Sequence, residues 1–488
     1  MTQQHSGGKG LGAGWGALLL AAGLSLASLV LVGILTPKAS PGFDEPYYVG
    51  LAASGWLSVT SGETGAYHAT KALPFLVFRA IFGGVLAQPP DYLQLAPWFR
   101  LFDLVCVLVA GGFIARILQV RGHPDLVAPA LAMLLISKAF LAFYVHYPVL
   151  GDTFVLALGA AFAYAWIVRS RRLQFGVLAA AALTSPPLCL FVLIAVALSR
   201  DAARSESSQG AARALQLAWG LVLVGVPLAA ALTALYGVPE RTVALAEWWG
   251  NPKYLKHPAV VALATIAAGT ALWWCGQAAR RFSLTELLAA LAPGPLLLAV
   301  AMVSLILALV HLGMGAAGPA PGVPPALDAL LIKASYLLSR PGPPGLPSHI
   351  LFLGIPVAAA LVNWQAFCTW IARQGAGIAV AFSLVLAYFG LDGEVRHVIF
   401  LYPLLIVGVC EVCADRIRAV GFGRIALANS IIALGWIPFV LLDADYRGER
   451  HLSAFGMCWS GPHYAIAIAA SALVLGLAWR WLRPQPAR

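Results

Sequence analysis

The stretch LAAAALTSPPLCLFVLIAVAL, residues 178–198, decides how the chain crosses the membrane. It belongs to an apolar block, residues 174–199, that is long enough to span a bilayer as one helix of about 20 residues. Pro186 and Pro187 interrupt this block, because proline lacks the backbone N–H donor and clashes with the preceding helical turn. The sequence therefore predicts two short helices that enter the membrane, turn at its far face and return.

Basic residues far from this block favour the same interpretation. With the N-terminus inside and the block counted as two helices, more than half of the 31 Lys and Arg residues fall in inner loops. Their density there is about fourfold that of the outer loops. A single crossing would place every later basic cluster outside, against the positive-inside rule. The charges thus predict a cytoplasmic N-terminus and report orientation rather than a nucleic-acid partner.

The composition is that of an all-α integral membrane protein. The 488 residues are 60% hydrophobic and 10% charged, with a mean hydropathy of +0.84, whereas about a quarter of the residues in soluble proteins are charged. We predict a polytopic bundle of about 12–14 transmembrane helices, the first of them a retained signal anchor. The predicted spans are 12–36, 98–116, 127–145, 152–168, 214–235, 258–277, 286–311, 349–371, 377–391, 398–413, 425–441 and 463–480, besides the broken block.

We expect one transmembrane domain over residues 1–488, with no separate soluble domain. Two long outer segments, 37–97 and 312–348, would cover the outer face, the first with interfacial helices. The second is rich in Pro and Gly at both ends, which suits a mobile flap or a plain connector. The CxxC formed by Cys410 and Cys413 lies in a membrane segment, where packed thiols are favoured over a redox pair.

The first outer segment begins with an acid pair in SPGFDEPYYVG, residues 40–50. Pro46 suits a first helical turn, and the following apolar residues predict an amphipathic interfacial helix. The residues expected on its buried face are Tyr48, Leu51, Ala52, Gly55, Trp56 and Val59. Asp44 or Glu45 would cap this helix. Capping needs only one acid, so the second is a candidate for chemistry.

Three further groups of charges are predicted at the same outer face. Asp152 in VHYPVLGDTF either caps the fourth span or serves a polar cavity, since a carboxylate at the edge of hydrocarbon is costly. His68 and Lys71 lie in GAYHATKALPFLVFRAIFG, where the lysine either snorkels to headgroups or binds an anion. Arg396 and His397 lie in GLDGEVRHVIFLYPLL, where Arg396 either pairs with Glu394 or joins the site. Acids can supply a base or metal ligands, and cations can hold phosphate.

The order and spacing of these motifs resemble those of the polytopic glycosyltransferases with the GT-C fold, which include bacterial aminoarabinose transferases and protein O-mannosyltransferases. FDEPYYVGLA is similar to the family's first-loop signature, and YHATKALPFLVFRAIFG to the stretch that follows it. APWFRLFDLVCVLVAGGFIARIL resembles the second span with its leading arginine, here Arg100. YPVLGDTFVLALGAAFAYAW, the proline-broken block and VRHVIFLYPLLIV complete the resemblance.

This resemblance implies transfer of a sugar from a polyprenyl-phosphate donor to a lipid, glycan or protein acceptor at the periplasmic face of a bacterial inner membrane. Asp44 would be the general base, Glu45 its neighbour or substitute, and Asp152 an acid that orients the acceptor or a metal. Lys71, helped by Arg396, would hold the lipid phosphate. The other residues expected to contact substrate are His68, His397, Arg100 and Tyr47. Inversion at the anomeric carbon is also implied by the resemblance.

Two points stay open. Some relatives carry an acid immediately before the lysine, whereas this chain has Thr70, so a divalent metal is an open question with Asp44, Asp152 and His68 as candidate ligands. The alternative function is a transporter or lipid flippase, which would favour inverted repeats and ionisable residues near the middle of spans. Asp103 and Lys138 are the candidates for such intramembrane charges.

Overall fold

The computed structural model describes residues 45–61, 66–84, 92–137, 148–200, 273–314, 345–389, 395–434 and 461–483. All regular elements in these ranges are helical, which confirms the predicted all-α class. Three helices are long and apolar enough to cross a membrane, or up to five if two bent pairs each count as one span. The chain is therefore a helical membrane protein. The predicted spans 12–36 and 214–235, and most of 258–277, lie outside the described residues.

The first half of the described chain contains nine α-helices. They are α1 (Glu45–Ser54), α2 (Leu57–Thr60), α3 (Ala66–Ala69), α4 (Leu73–Phe82), α5 (Tyr92–Val120), α6 (Val127–Leu135), α7 (Asp152–Ile167), α8 (Arg171–Ala182) and α9 (Pro186–Ala197). Short 3₁₀ turns at Pro124–Leu126 and Pro148–Leu150 precede α6 and α7. The long helix α5 packs along α7.

The second half of the described chain contains ten further α-helices. They are α10 (Leu284–Ala290), α11 (Pro293–Met314), α12 (Gly345–Leu353), α13 (Ile355–Val362), α14 (Trp364–Arg373), α15 (Ala376–Phe389), α16 (Tyr402–Val412), α17 (Ala414–Val420), α18 (Phe422–Leu434) and α19 (Gly461–Leu482). Two 3₁₀ segments, Ala279–Arg281 and Val395–Leu401, precede α10 and α16. The second of these packs against α7, α9 and α15, so it lies inside the bundle.

The proline-broken block folds as predicted. Helix α8 ends at Ala182, and α9 starts at Pro186 with both prolines in its first turn, where a missing N–H costs nothing. Ser185 caps α9 by accepting a hydrogen bond from the Leu188 N–H, with a distance of 3.5 Å. The two helices pack against each other. Two short helices joined by a tight turn therefore replace one continuous span.

Two other predicted spans are interrupted, against expectation. The span 286–311 divides before Pro293 into α10 and α11. The span 349–371 divides into α12, α13 and α14, with a bend of 95° between the last two. At the first break Gly354 has φ +72°, and the Asn429 side chain accepts a hydrogen bond from Ile355 N–H at 3.1 Å. This contact replaces the helical bond that the break removes.

The direction of the helices defines two ends of the bundle. Helix α7 runs from Asp152 to Trp166, whose indole donates a hydrogen bond to the Gln374 carbonyl at 2.8 Å. The Gln374 side chain in turn accepts a hydrogen bond from Arg121. We call the end that contains Arg121, Trp166 and Gln374 the Arg121 end, and the opposite one the Asp152 end. Helix α11 runs between these two ends. Just before its start, Ala292 N–H donates a hydrogen bond to the carbonyl of Ala197, the last residue of α9, at 2.8 Å. Near its other end, the Trp56 indole donates to the Gly313 carbonyl at 3.3 Å.

Charges that the sequence assigns to the inner side meet at the Arg121 end. Arg121 lies 3.5 Å from the Glu411 carboxylate, and the Trp370 indole donates a hydrogen bond to the same side chain at 2.8 Å. Arg418 pairs with Asp125 at 2.5 Å, and its hydrogen bond lowers the pKa of that carboxyl. Loops far apart in sequence therefore share one end, as the predicted topology requires.

Two helix ends inside the bundle depend on Tyr402. Its hydroxyl oxygen lies 2.6 Å from the Met133 carbonyl oxygen and 2.8 Å from that of Leu353. Both carbonyls belong to the last turn of a helix, where no intrahelical N–H is available. The fully buried tyrosine thus serves backbone groups that neither water nor helix can satisfy.

Replacing Tyr402 with Phe is expected to lower the free energy of unfolding by about 1–3 kcal/mol, because two buried carbonyls lose the single hydroxyl proton that they share. Thermal unfolding of the purified protein in detergent measures this loss. Tyr164→Phe is the matched control, since the Tyr164 ring packs on Phe113 at 5.4 Å and the change should leave the melting temperature nearly unchanged. Equal melting temperatures for the two variants would show that the Tyr402 hydroxyl is dispensable.

Candidate functional site

The described part of α1 runs from Glu45 to Ser54, with Pro46 near its start. Capping by Asp44 or Glu45 stays a prediction, because Asp44 lies outside the described residues. Tyr48, Leu51 and Val59 from the predicted face are buried. The helix stops at Ser54 because Gly55 takes φ +62°. The predicted buried face is thus confirmed, and α1 packs on α4. Its place at the membrane interface stays a prediction.

An aromatic group holds His68 at the Asp152 end. The His68 ring stacks on Tyr47, with 4.2 Å between centroids and an interplanar angle of 17°. The edge of Tyr48 approaches the same ring at 5.4 Å, and Tyr48 stacks on Phe75 at 4.5 Å. Tyr47 keeps 44% of its surface exposed, whereas Tyr48 is buried. The group therefore links an open aromatic surface to the protein core.

Asp152 adjoins this aromatic group through Gly151. Gly151 has φ +75°, and a Cβ placed there would lie 3.2 Å from Pro74 and 3.3 Å from Phe75. This close approach brings the start of α7 against the start of α4. Asp152 is the first residue of α7, where the helix dipole stabilises a carboxylate. Its side chain is half-buried, and Oδ2 is inaccessible to solvent.

A second acid, which the sequence analysis left outside the site, lies against the first turn of α7, which Asp152 begins. Asp103 in α5 is only 1% exposed and accepts a hydrogen bond from the hydroxyl of Thr153. Arg100 lies one turn earlier in α5 and is half-buried. The only sequence signal for Asp103 was a single acid inside an apolar run. Its partner could not be identified because Thr153 belongs to another helix.

Lys71 lies beside the proline turn between α8 and α9. Its backbone N–H donates a hydrogen bond to the His68 carbonyl at 2.9 Å. Two residues later, Leu73 N–H donates to Leu183 O at 3.0 Å. The Lys71 side chain is half-buried. The lysine, the histidine and the turn predicted at the far face therefore share the Asp152 end.

Arg396 and His397 approach this end from the centre of the bundle. Both belong to the 3₁₀ segment Val395–Leu401, which packs on α7. Backbone atoms of Phe400 lie against Gly159 of α7. The segment continues into α16, which reaches Glu411 at the Arg121 end and so runs parallel to α7. Arg396 and His397 precede Phe400 in this segment, so they lie closer to the Asp152 end than Phe400 does.

Several predicted features fall outside the described residues. They are Asp44, the side chain of Glu45, Lys138, Glu394, and nearly all of the outer segment 312–348. In the described part of the chain, no three His, Cys, Asp or Glu side chains lie close enough to hold a metal ion. Neither Asp152 nor His68 therefore belongs to a group of three possible metal ligands among the described residues. Cys410 and Cys413 are buried free thiols, as predicted for packed cysteines.

Comparisons with known proteins found no similarity. No family model matches the chain, and neither a curated protein nor a solved structure matches it at a significant level. The function is therefore inferred from the site and from the sequence motifs alone.

The described part of the Asp152 end combines three kinds of group. It has two carboxylates, Asp103 and Asp152, of which the first is held by a hydrogen bond. It has half-buried cationic side chains on separate segments, among them Lys71 and Arg100. It also has the partly exposed Tyr47 ring against His68. Such a set can accept a proton from a hydroxyl and stabilise negative charge on phosphate.

Proposed function

We propose that the protein is a membrane glycosyltransferase of the GT-C type, which transfers a sugar from a polyprenyl-phosphate donor to a lipid, glycan or protein acceptor. The observation that supports this proposal most is the packing of four remote segments at the Asp152 end. These segments carry His68 and Lys71, Asp103, Asp152, and Arg396. Acids and cations from separate parts of the chain thus occupy one end, as the resemblance to the family implies.

In the proposed reaction the acceptor hydroxyl loses its proton to a carboxylate. Asp44 has this role by resemblance, with Glu45 as its neighbour and Asp152 as the acid that orients the acceptor. The acceptor oxygen bonds to the anomeric carbon of the sugar as the carbon–oxygen bond to phosphate breaks. The electron pair leaves with the polyprenyl phosphate. Lys71 and Arg396 stabilise the negative charge that grows on this leaving group.

The buried Asp103 is the observation that favours the rival function, a transporter or lipid flippase. An acid inside a membrane helix often marks a transport pathway. Transport sites lie near the middle of the bilayer. Asp103, however, accepts a hydrogen bond from Thr153, in the first turn of α7. It therefore lies at the level where α7 begins, which favours a site near the Asp152 end.

A reconstituted assay tests the proposed function. The purified protein in liposomes is given a radiolabelled polyprenyl-phosphate sugar and membrane extract as a source of acceptor. We expect label to move to a new product and free polyprenyl phosphate to form in equal amount. A chelator arm measures the need for a divalent metal. Movement of labelled lipid or solute across the liposome membrane, with no new glycoside formed, would instead identify the protein as a transporter or flippase.

A further inference from the structure

Two arginines and a tryptophan form a second polar surface, at the other end of the bundle from Asp152. We call Trp273, Arg280 and Arg281 the arginine site. The Arg280 guanidinium lies 3.5 Å above the Trp273 ring centroid and donates a hydrogen bond to the Trp273 carbonyl at 2.7 Å. Arg281 donates to the Gln365 carbonyl at 3.3 Å. These contacts hold both cations in place while leaving several of their N–H groups available.

Neither guanidinium forms an ion pair with a carboxylate in the described part of the chain. The acid on the same stretch, Glu286, accepts a hydrogen bond from Ser283 N–H at 2.7 Å and so caps α10. Arg280 Nε is inaccessible to solvent and makes no hydrogen bond to a described residue. Burial lowers the pKa of Arg280 below its ordinary value. Two adjacent positive charges are therefore left without a neutralising acid in these ranges.

The surroundings of the arginine site resemble a membrane interface. Helix α14, which receives the Arg281 contact, turns by 95° from α13 and buries one face against the bundle. Trp273 is 38% exposed, and tryptophan concentrates at the level of lipid headgroups. Leu284 and Leu288 of α10 are exposed nearby in sequence. Cations, an aromatic ring and exposed leucines match the phosphate, the interfacial zone and the acyl chains of a lipid.

We propose that the arginine site binds the phosphodiester headgroup of an anionic phospholipid at the Arg121 end. The planar guanidinium groups donate paired hydrogen bonds to phosphate oxygens, which suits arginine better than lysine. A net negative headgroup is preferred because a zwitterionic lipid carries its own cation. This site is independent of the proposed transfer reaction, since it lies at the opposite end of the bundle.

Native mass spectrometry of the purified protein tests the site with phosphatidylglycerol and phosphatidylethanolamine of identical acyl chains. We expect wild type to bind phosphatidylglycerol more tightly. Arg281→Gln should weaken that binding about fivefold, and Arg280→Gln with Arg281→Gln about 25-fold, because each arginine contributes separately. Arg116→Gln is the control, since Arg116 lies at the same end and its side chain donates a hydrogen bond to Gln119.

The outcome does not depend on the double variant being stable. Arg281 is a surface residue whose side chain donates to one carbonyl, so Arg281→Gln alone should fold and still show the fivefold loss. Inorganic phosphate is added in excess as a separate arm and should not displace the lipid. The proposal is overturned if phosphate competes fully, if both lipids bind equally to wild type, or if Arg116→Gln weakens phosphatidylglycerol as much as Arg281→Gln does.

Discussion

Replacing Asp152 with Asn is expected to reduce sugar transfer at least about 100-fold, because loss of a proton-accepting or orienting carboxylate typically costs that much or more. Asparagine keeps the size of the side chain and still suits the first turn of α7, so the helix should persist. Asp44→Asn should give a loss of similar or greater size if Asp44 is the base, as its resemblance to the family implies. The initial rate of transfer from a radiolabelled polyprenyl-phosphate sugar measures both effects.

Asp125→Asn provides the matched control for these changes. It removes an exposed acid at the Arg121 end that pairs with Arg418, and it should leave the transfer rate within about twofold of wild type. The rate should be measured over a range of pH, since removal of a base also removes the acidic limb of the profile. Full activity of Asp152→Asn, or an equal loss in Asp125→Asn, would exclude Asp152 from the site.

Replacing Gly159 with Ala is expected to destabilise the protein by more than about 3 kcal/mol, the largest effect we expect from any single methyl group. A Cβ at this position would lie 2.2 Å from the Phe400 carbonyl oxygen and 2.8 Å from its carbonyl carbon. These are backbone atoms, so no side-chain rotation can relieve the overlap. Helix α7 and the 3₁₀ segment Val395–Leu401 would have to separate.

The measurement is thermal unfolding in detergent, followed by fluorescence-detected size exclusion. Gly112→Ala is the control, because Gly112 also lies inside a long helix, and no described residue outside that helix comes within 4 Å of where its methyl group would be. Its melting temperature should stay the same or rise slightly. Since the displaced segment carries Arg396 and His397, transfer should also fall in Gly159→Ala. A melting temperature within about 2 °C of wild type would show that the close backbone approach is unnecessary.

The sequence predicted the helical class and the elements whose causes are local. Polarity alone identified α5, α7, α15 and α19, because the cost of burying charged groups in hydrocarbon acts on each segment separately. The break before Pro186 followed from the missing N–H donors of two adjacent prolines. These inferences needed no knowledge of neighbouring helices.

The breaks that the sequence analysis missed combine local signals with partners elsewhere in the chain. Gly354 and Pro356 mark the end of α12 locally, as Pro293 marks the start of α11. The end becomes stable because Asn429, 74 residues after Ile355, accepts the exposed Ile355 N–H. The 95° bend before α14 likewise accompanies contacts of Trp364 with Trp274, whose rings stack at 3.9 Å. Periodicity does not encode such contacts.

Some properties of the candidate site likewise follow from the sequence, and others follow only from the tertiary structure. The sequence by itself determined that the chain is a helical membrane protein and which acids and cations precede or follow its spans, because hydropathy and proline stereochemistry act over a few residues. Only the tertiary structure decided that Thr153 meets Asp103, that His68 stacks on Tyr47, and that Phe400 lies against Gly159. The physical reason is that hydrogen bonds and packing form between atoms within a few ångströms in space, whatever their separation along the chain.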